Sequence, residues 1–205
     1  MRMVPFIALC LLTGCLARPP LEKQSFILAP PPPTLTPTTG SQSHRVLGIR
    51  SLQVSETFAG RSFVYRTGEF SYARDPYAEF MVRPADGFLQ PIATWFRQSG
   101  GFRAVADLGS ALKPDTLVEI QVLQLYGDFR TQENAAAVMA LRLVFFDAPK
   151  GIPGEVLMQR EYSRNVPLKA RAATALIEGW NEALAQILDL AVRDLSQVDT
   201  KPPQP

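Results

Sequence analysis

Few side chains in this chain have the type and spacing to do chemistry. The sequence holds one imidazole, His44. A Ser-His-Asp set would have to use it, and a multi-histidine metal site is excluded. His44 lies at the edge of a Pro/Ser/Thr stretch, where a solvated loop histidine is the ordinary reading. Glu178 and Glu182 sit one helical turn apart, the spacing of an acid/base pair. They fall between the members of a long apolar stripe, which marks them as a solvated helix face. No Asp-rich loop has calcium-ligand spacing. No Gly-x-x-x-x-Gly-Lys-(Ser/Thr) phosphate loop occurs, so the chain is not itself an ATPase. We therefore expect no catalytic set, no metal and no cofactor. Two features remain: the thiol of Cys15, and a run of arginines and aromatics between residues 61 and 83.

Cys15 stands at the end of an N-terminal pattern. Arg2 supplies a positive start, and Met3 to Leu12 is nearly all apolar. That is signal-peptide length, about half of what a spanning helix needs. The run closes on Leu12-Thr13-Gly14-Cys15, which looks like the bacterial lipobox: an aliphatic residue, two small residues and a cysteine. In that system a diacylglyceryl group joins the cysteine sulfur, the chain is cut before the cysteine, and the new amine is acylated. The cut here falls between Gly14 and Cys15. The competing reading is a cysteine in a signal cut elsewhere. One acyl chain anchors marginally and two or three anchor stably, at about 0.8 kcal/mol per buried CH₂. The residue after the cysteine is Leu16. In many Gram-negative bacteria aspartate there retains a lipoprotein at the inner membrane, so leucine points to the outer membrane, facing the periplasm.

The second feature is more diffuse. Arg61, Arg66, Arg74 and Arg83 are interleaved with Phe63, Tyr65, Phe70, Tyr72, Tyr77 and Phe80. Ordinary strand and loop surface is one reading. The other is a partner interface, because Tyr and Arg are favoured anchors. Arg61, Tyr65, Arg66, Tyr77 and Phe80 are its candidate residues.

Elements must hold these features in place. With residues 1–14 removed, about 190 residues remain, enough for one domain with loose ends. The whole chain carries 21 Lys and Arg against 19 Asp and Glu, which argues against a nucleic-acid surface. Cys10 leaves with the signal, so no disulfide forms and the core alone must hold the fold. Residues 15–43 read as lipidated cysteine, tether and Pro-rich linker, with a short first strand at Gln24 to Leu28. The proline-rich part is either a surface loop or a continuation of the tether. The folded domain is expected over 44–196, and 197–205 reads as a disordered tail.

Strands are expected at Arg45 to Val54, Arg61 to Arg66, Glu69 to Tyr72, Phe102 to Ala106, Thr116 to Tyr126, Ala135 to Phe146 and Glu155 to Val166. Helical spacing covers Pro84 to about Gly100, with Gly100-Gly101 as the stop. A second, longer helix runs from Lys169 to about Ser196, roughly 40 Å. Asp189 and Arg193 lie four apart on it, and pairing on its exposed side is expected. Trp95 and Trp180 lie at core-like spacing, with a lipid-contacting groove as the alternative. The order strands, helix, strands, helix suggests an α+β fold: a single mixed or antiparallel sheet with two amphipathic helices on one face.

In its order of motifs the chain resembles the ABC-type transport auxiliary lipoprotein family, which includes paraquat-inducible protein C. The resemblance rests on the Cys15 motif, Phe26-Ile27-Leu28, Arg61-Ser62-Phe63-Val64-Tyr65-Arg66, Tyr77 and Phe80 before Pro84, and the Ser99 to Val105 run. A long Ala/Leu helix closes the pattern, and Phe80 stands where members usually carry Trp. The resemblance implies a fold similar to the N-terminal domain of TolB. It implies membrane attachment through the lipid and a place in envelope lipid transport. The partners would be a periplasmic bridging protein of the mammalian-cell-entry (MCE) type and its ABC transporter or permease, and some members form rings of their own copies. A lipid-binding carrier and a structural envelope lipoprotein are the competing functions.

Overall fold

The computed structural model describes residues 22–34, 44–106, 111–131, 133–149 and 152–199. Gly14, Cys15, the signal and residues 200–205 of the expected tail lie outside the described residues, whereas 197–199 extend the second helix. Among the described residues, eight strands form one mixed sheet and two helices cover one of its faces, the expected α+β architecture.

The backbone of the sheet is three long antiparallel strands: β6 (Thr116–Asp128), β7 (Ala136–Asp147) and β8 (Val156–Pro167). Their alternation sorts the two faces. Val118, Ile120 and Val122 of β6, with Leu141, Leu143 and Phe145 of β7, are buried against the helices. Between them Gln121, Arg142 and Glu161 align across three strands on the other face. There Arg142 donates to Glu161 at 2.5 and 2.8 Å and to Gln121 at 3.2 Å.

The second edge of β6 is shared. Its first half pairs in parallel with β2 (Val46–Val54), which carries β5 (Ala104–Ala106). Its far end pairs with β3 (Ser62–Arg66), followed by β4 (Tyr72–Phe80) and β1 (Gln24–Phe26). The sheet therefore forks, and the second branch carries the Arg/aromatic run.

Helix α1 (Pro84–Gln98) opens with Pro at its first turn, where a missing N–H costs nothing. It stops at Gly100, whose φ of 68° is the left-handed conformation that glycine adopts freely. Helix α2 (Ala173–Asp199) buries Leu176, Trp180, Leu184, Ile187, Leu188 and Ala191 as one stripe. A Cβ on Gly179 would lie 2.6 Å from the Cβ of Ala137, so glycine permits the close approach of α2 to β7. Arg160 and the Tyr162 hydroxyl, both on β8, hold Asp194 of α2 at 2.6 and 2.8 Å.

Three expectations are corrected. The strand placed at Glu69 to Tyr72 is a turn there, and the strand runs from Tyr72 to Phe80 instead. Pro76 lacks the N–H that a regular ladder needs. The β3–β4 register shifts between Ser62 and Val64, so Pro76 falls in the bulge. The Asp75 carboxylate accepts the N–H groups of Tyr77 and Ala78 at 2.7 and 3.0 Å, replacing the ladder locally. Asp189 is buried rather than exposed, because the Thr34 hydroxyl donates to it at 2.6 Å. Arg193 reaches the Asp189 main-chain carbonyl, not its carboxylate. Finally, Phe80 lies 4% exposed on the helix-facing side of β4, stacked on Trp180 with centroids 5.5 Å apart and 4.8 Å from Phe63. A ring in that position holds the core together and reaches no partner directly.

Candidate docking surface

The branch β3–β4 ends in a hairpin whose loop is tied by its own chain. The N–H groups of Thr67 and Gly68 donate to the Ser71 carbonyl at 2.9 and 3.3 Å. The Arg66 guanidinium donates to the carbonyls of Gly68 and Glu69 at 3.3 and 2.7 Å. Arg66, a candidate partner anchor, thus fixes the loop. The loop in turn projects Phe70, which is 88% exposed.

Both faces of the hairpin base are braced by aromatic contacts. On one, Tyr72 meets Tyr126 edge-on at 5.6 Å and Phe58 at 6.4 Å, while Phe58 stacks on Tyr126 at 5.8 Å. On the other, Tyr65 stacks on Phe129 at 4.7 Å, and the Arg171 guanidinium lies 4.5 Å from the centre of the Phe129 ring. Arg171 also donates to the carbonyls of Phe129 and Thr131. The Tyr65 hydroxyl donates to Asp75 at 2.5 Å. Burial first, and the Asp75 carboxylate second, push the Tyr65 hydroxyl above its ordinary range, so it stays a neutral donor.

Arg61 serves a different purpose. It donates to the Phe80 carbonyl at 2.9 Å and to Glu79 at 2.5 Å, while Lys23 holds the other Glu79 oxygen at 2.5 Å. Lys23 precedes β1, so its ion pair clips the first strand to β4. The hydrogen bond from Lys23, followed by the charges of Arg61 and Lys23, holds the Glu79 carboxyl below its usual range against the opposing effect of burial.

Of the candidate interface residues, Arg66 and Tyr65 build the hairpin, Arg61 ties the start of β3 to β4, Phe80 is core, and Tyr77 is exposed on the β4 edge. The residues that project are Phe70, Tyr72 and Tyr77. Phe70 and Tyr72 belonged to the Arg/aromatic run but not to the candidates. The available signal was Thr67-Gly68-Glu69-Phe70-Ser71, a polar turn carrying one aromatic.

The other candidates remain apart. His44, Glu178 and Glu182 are exposed and distant in chain position, and Glu182 accepts from Gln186 on its own helix. Trp95 and Trp180 are both core residues, and Trp180 donates to the Val138 carbonyl at 3.2 Å. Among the described residues no three His, Cys, Asp or Glu side chains gather as a metal ion requires. No described helix is long and apolar enough to cross a membrane.

Comparison with known proteins agrees with this architecture. A protein from Xanthomonas campestris assigned to family DUF330 is similar in fold, with 18% identity and a TM-score of 0.69 over 85% of this chain and 96% of that one. An uncharacterized protein of known structure is similar over 87% of this chain and 99% of its own, with 14% identity and a TM-score of 0.62. No curated protein matches the chain. The family model described as ABC-type transport auxiliary lipoprotein component matches residues 26–190, from the end of β1 to well into α2. The chain belongs to the ABC-type transport auxiliary lipoprotein component family, whose members are proteins of the cell envelope.

Proposed function

We propose that this protein is a non-enzymatic docking subunit of an envelope lipid-transport system. Lipid on Cys15 anchors it to the outer membrane, and its β3–β4 hairpin engages an MCE-type bridging protein that serves an ABC transporter or permease. The observation that carries the reading is the hairpin tip. A loop held by Arg66 and braced by Tyr65 and Tyr72 presents Phe70 to solvent. A large exposed ring on a rigid support loses little entropy on binding, the property of an interface anchor. Anchoring confines the subunit near the bridge, so modest affinity suffices.

Purification of the full-length protein from native membranes in mild detergent tests the reading. An MCE protein is expected to co-purify, and Phe70→Ser is expected to lower its recovery at least tenfold, the effect of a hot-spot side chain worth about 2 kcal/mol. Absence of an MCE protein from the wild-type preparation would overturn the partner. Equal recovery with Phe70→Ser would overturn the hairpin.

A further inference from the structure

The far end of β4 from the hairpin tip carries a second apolar surface. Ile27, Met81 and Val82 are 67%, 53% and 47% exposed. They are neighbours by construction. Phe26 and Phe80 are register partners, and the Met81 N–H donates to the Phe26 carbonyl at 2.8 Å, so Ile27 and Met81 leave β1 and β4 side by side. Val82 lies over Gly87 of α1, where a Cβ would meet its methyl at 3.2 Å. Ile27 and Val82 rim a groove of about 270 Å³ floored by Phe26, Leu28, Phe80 and Pro91.

The position of this surface along the chain says what covers it. Gln24 opens β1 nine residues after Cys15. At about 3.4 Å per extended residue the two are at most about 30 Å apart. Ile27 is three residues further on. Charge does not oppose an approach to lipid. Lys23 and Arg61 share the single Glu79 carboxylate, and Arg83 beside Val82 is exposed, so the charge left over among them is positive, the sign that favours anionic headgroups. β4 spans nine residues, about 25 Å allowing for its bulge. With its Phe80 end on a bilayer, its Tyr72 end would stand clear of the lipid.

We propose that the exposed patch formed by Ile27, Met81 and Val82 is the face that this domain lays on the bilayer holding its anchor, with these side chains entering the headgroup–acyl boundary. This rests on the lipid at Cys15. It adds an orientation: the N-terminal edge is membrane-facing, and the hairpin with Phe70 is directed away from the membrane, towards a periplasmic partner.

The test uses full-length acylated protein in nanodiscs of phosphatidylethanolamine and phosphatidylglycerol. The lipidated Cys15 leaves no other thiol in the mature chain, so single cysteines at Ile27→Cys, Val82→Cys and, as control, Val156→Cys on the β8 edge accept one spin label each. Intact mass first establishes acylation. Collision of the labels with oxygen and with a water-soluble nickel complex is then read by electron paramagnetic resonance. Labels at 27 and 82 are expected to show a several-fold higher oxygen-to-nickel ratio than the label at 156. Nickel accessibility at 27 and 82 equal to that at 156, in protein that carries its acyl chains, would overturn the orientation alone. Shielding of 27 and 82 from both reagents would also overturn it, in favour of a protein partner or a second copy. An unacylated mass would overturn the anchor and this proposal together.

Discussion

The two sides of β6 differ in how they are built. On one, β7 and β8 run antiparallel through long registers, interrupted by single irregularities. On the other, β3, β4 and β1 form a branch with short parallel pairings and a bulge at Asp75-Pro76. The regular side buries Leu141, Leu143 and Phe145 completely and turns a ladder of polar side chains to solvent. The irregular side exposes Ile27, Phe70, Tyr72, Tyr77 and Met81. Burial is concentrated on the first and exposed apolar surface on the second, where the proposed docking tip lies. A bulged edge re-aims side chains and ends pairing, as a docking surface requires.

Substitutions on the two sides should separate these roles. Phe145→Ala on β7 opens a cavity beneath the helices and is expected to cost about 3–5 kcal/mol in urea denaturation. A loss under 1 kcal/mol would mean that the long strands do not carry the core. Asp75→Ala on the branch removes the acceptor of the Tyr65 hydroxyl and of two main-chain N–H groups. It is expected to cost about 1–3 kcal/mol and to loosen the hairpin, measured as faster amide exchange at Tyr77 and Ala78.

Acid acts on the same branch. Glu79 has its folded pKa lowered, so its ion pairs contribute fully above the ordinary carboxylate value and are lost as pH falls through the lowered one. Exchange protection of the β1 amides is expected to fall on acidification before that of β7. Glu79→Gln should reproduce the loosening at neutral pH and abolish its pH dependence. Phe70→Ser should change stability least, within about 0.5 kcal/mol, because the ring buries little in the free protein. A larger loss would assign Phe70 to the fold rather than to a partner.

The same contrast decided what could be read from the sequence. Both helices and β6 follow from apolar periodicity, and β7 from a run apolar on both faces, because each packs into the large shared core. β4 was not legible beyond its first residue. Pro76 argues against a strand unless the bulge and the Asp75 carboxylate are known, and those depend on the pairing partner. Asp189 and Arg193 resembled a solvated pair because Thr34, which buries the carboxylate, lies 155 residues away in sequence. The Arg/aromatic run falls on this branch, but its spacing does not sort buried from exposed residues. Whether Tyr65, Tyr72 or Phe70 is the exposed ring depends on Phe129 and Tyr126, supplied by the end of β6 and the loop after it.

Photocrosslinking in living cells tests the division of labour most directly. A photoreactive residue replaces Phe70 at the hairpin tip or Val156 at the regular edge of the acylated, full-length protein. Crosslinking from position 70 to an MCE-type periplasmic protein, with none from position 156, is the predicted result. No adduct from position 70, or equal yields from both positions, would contradict it.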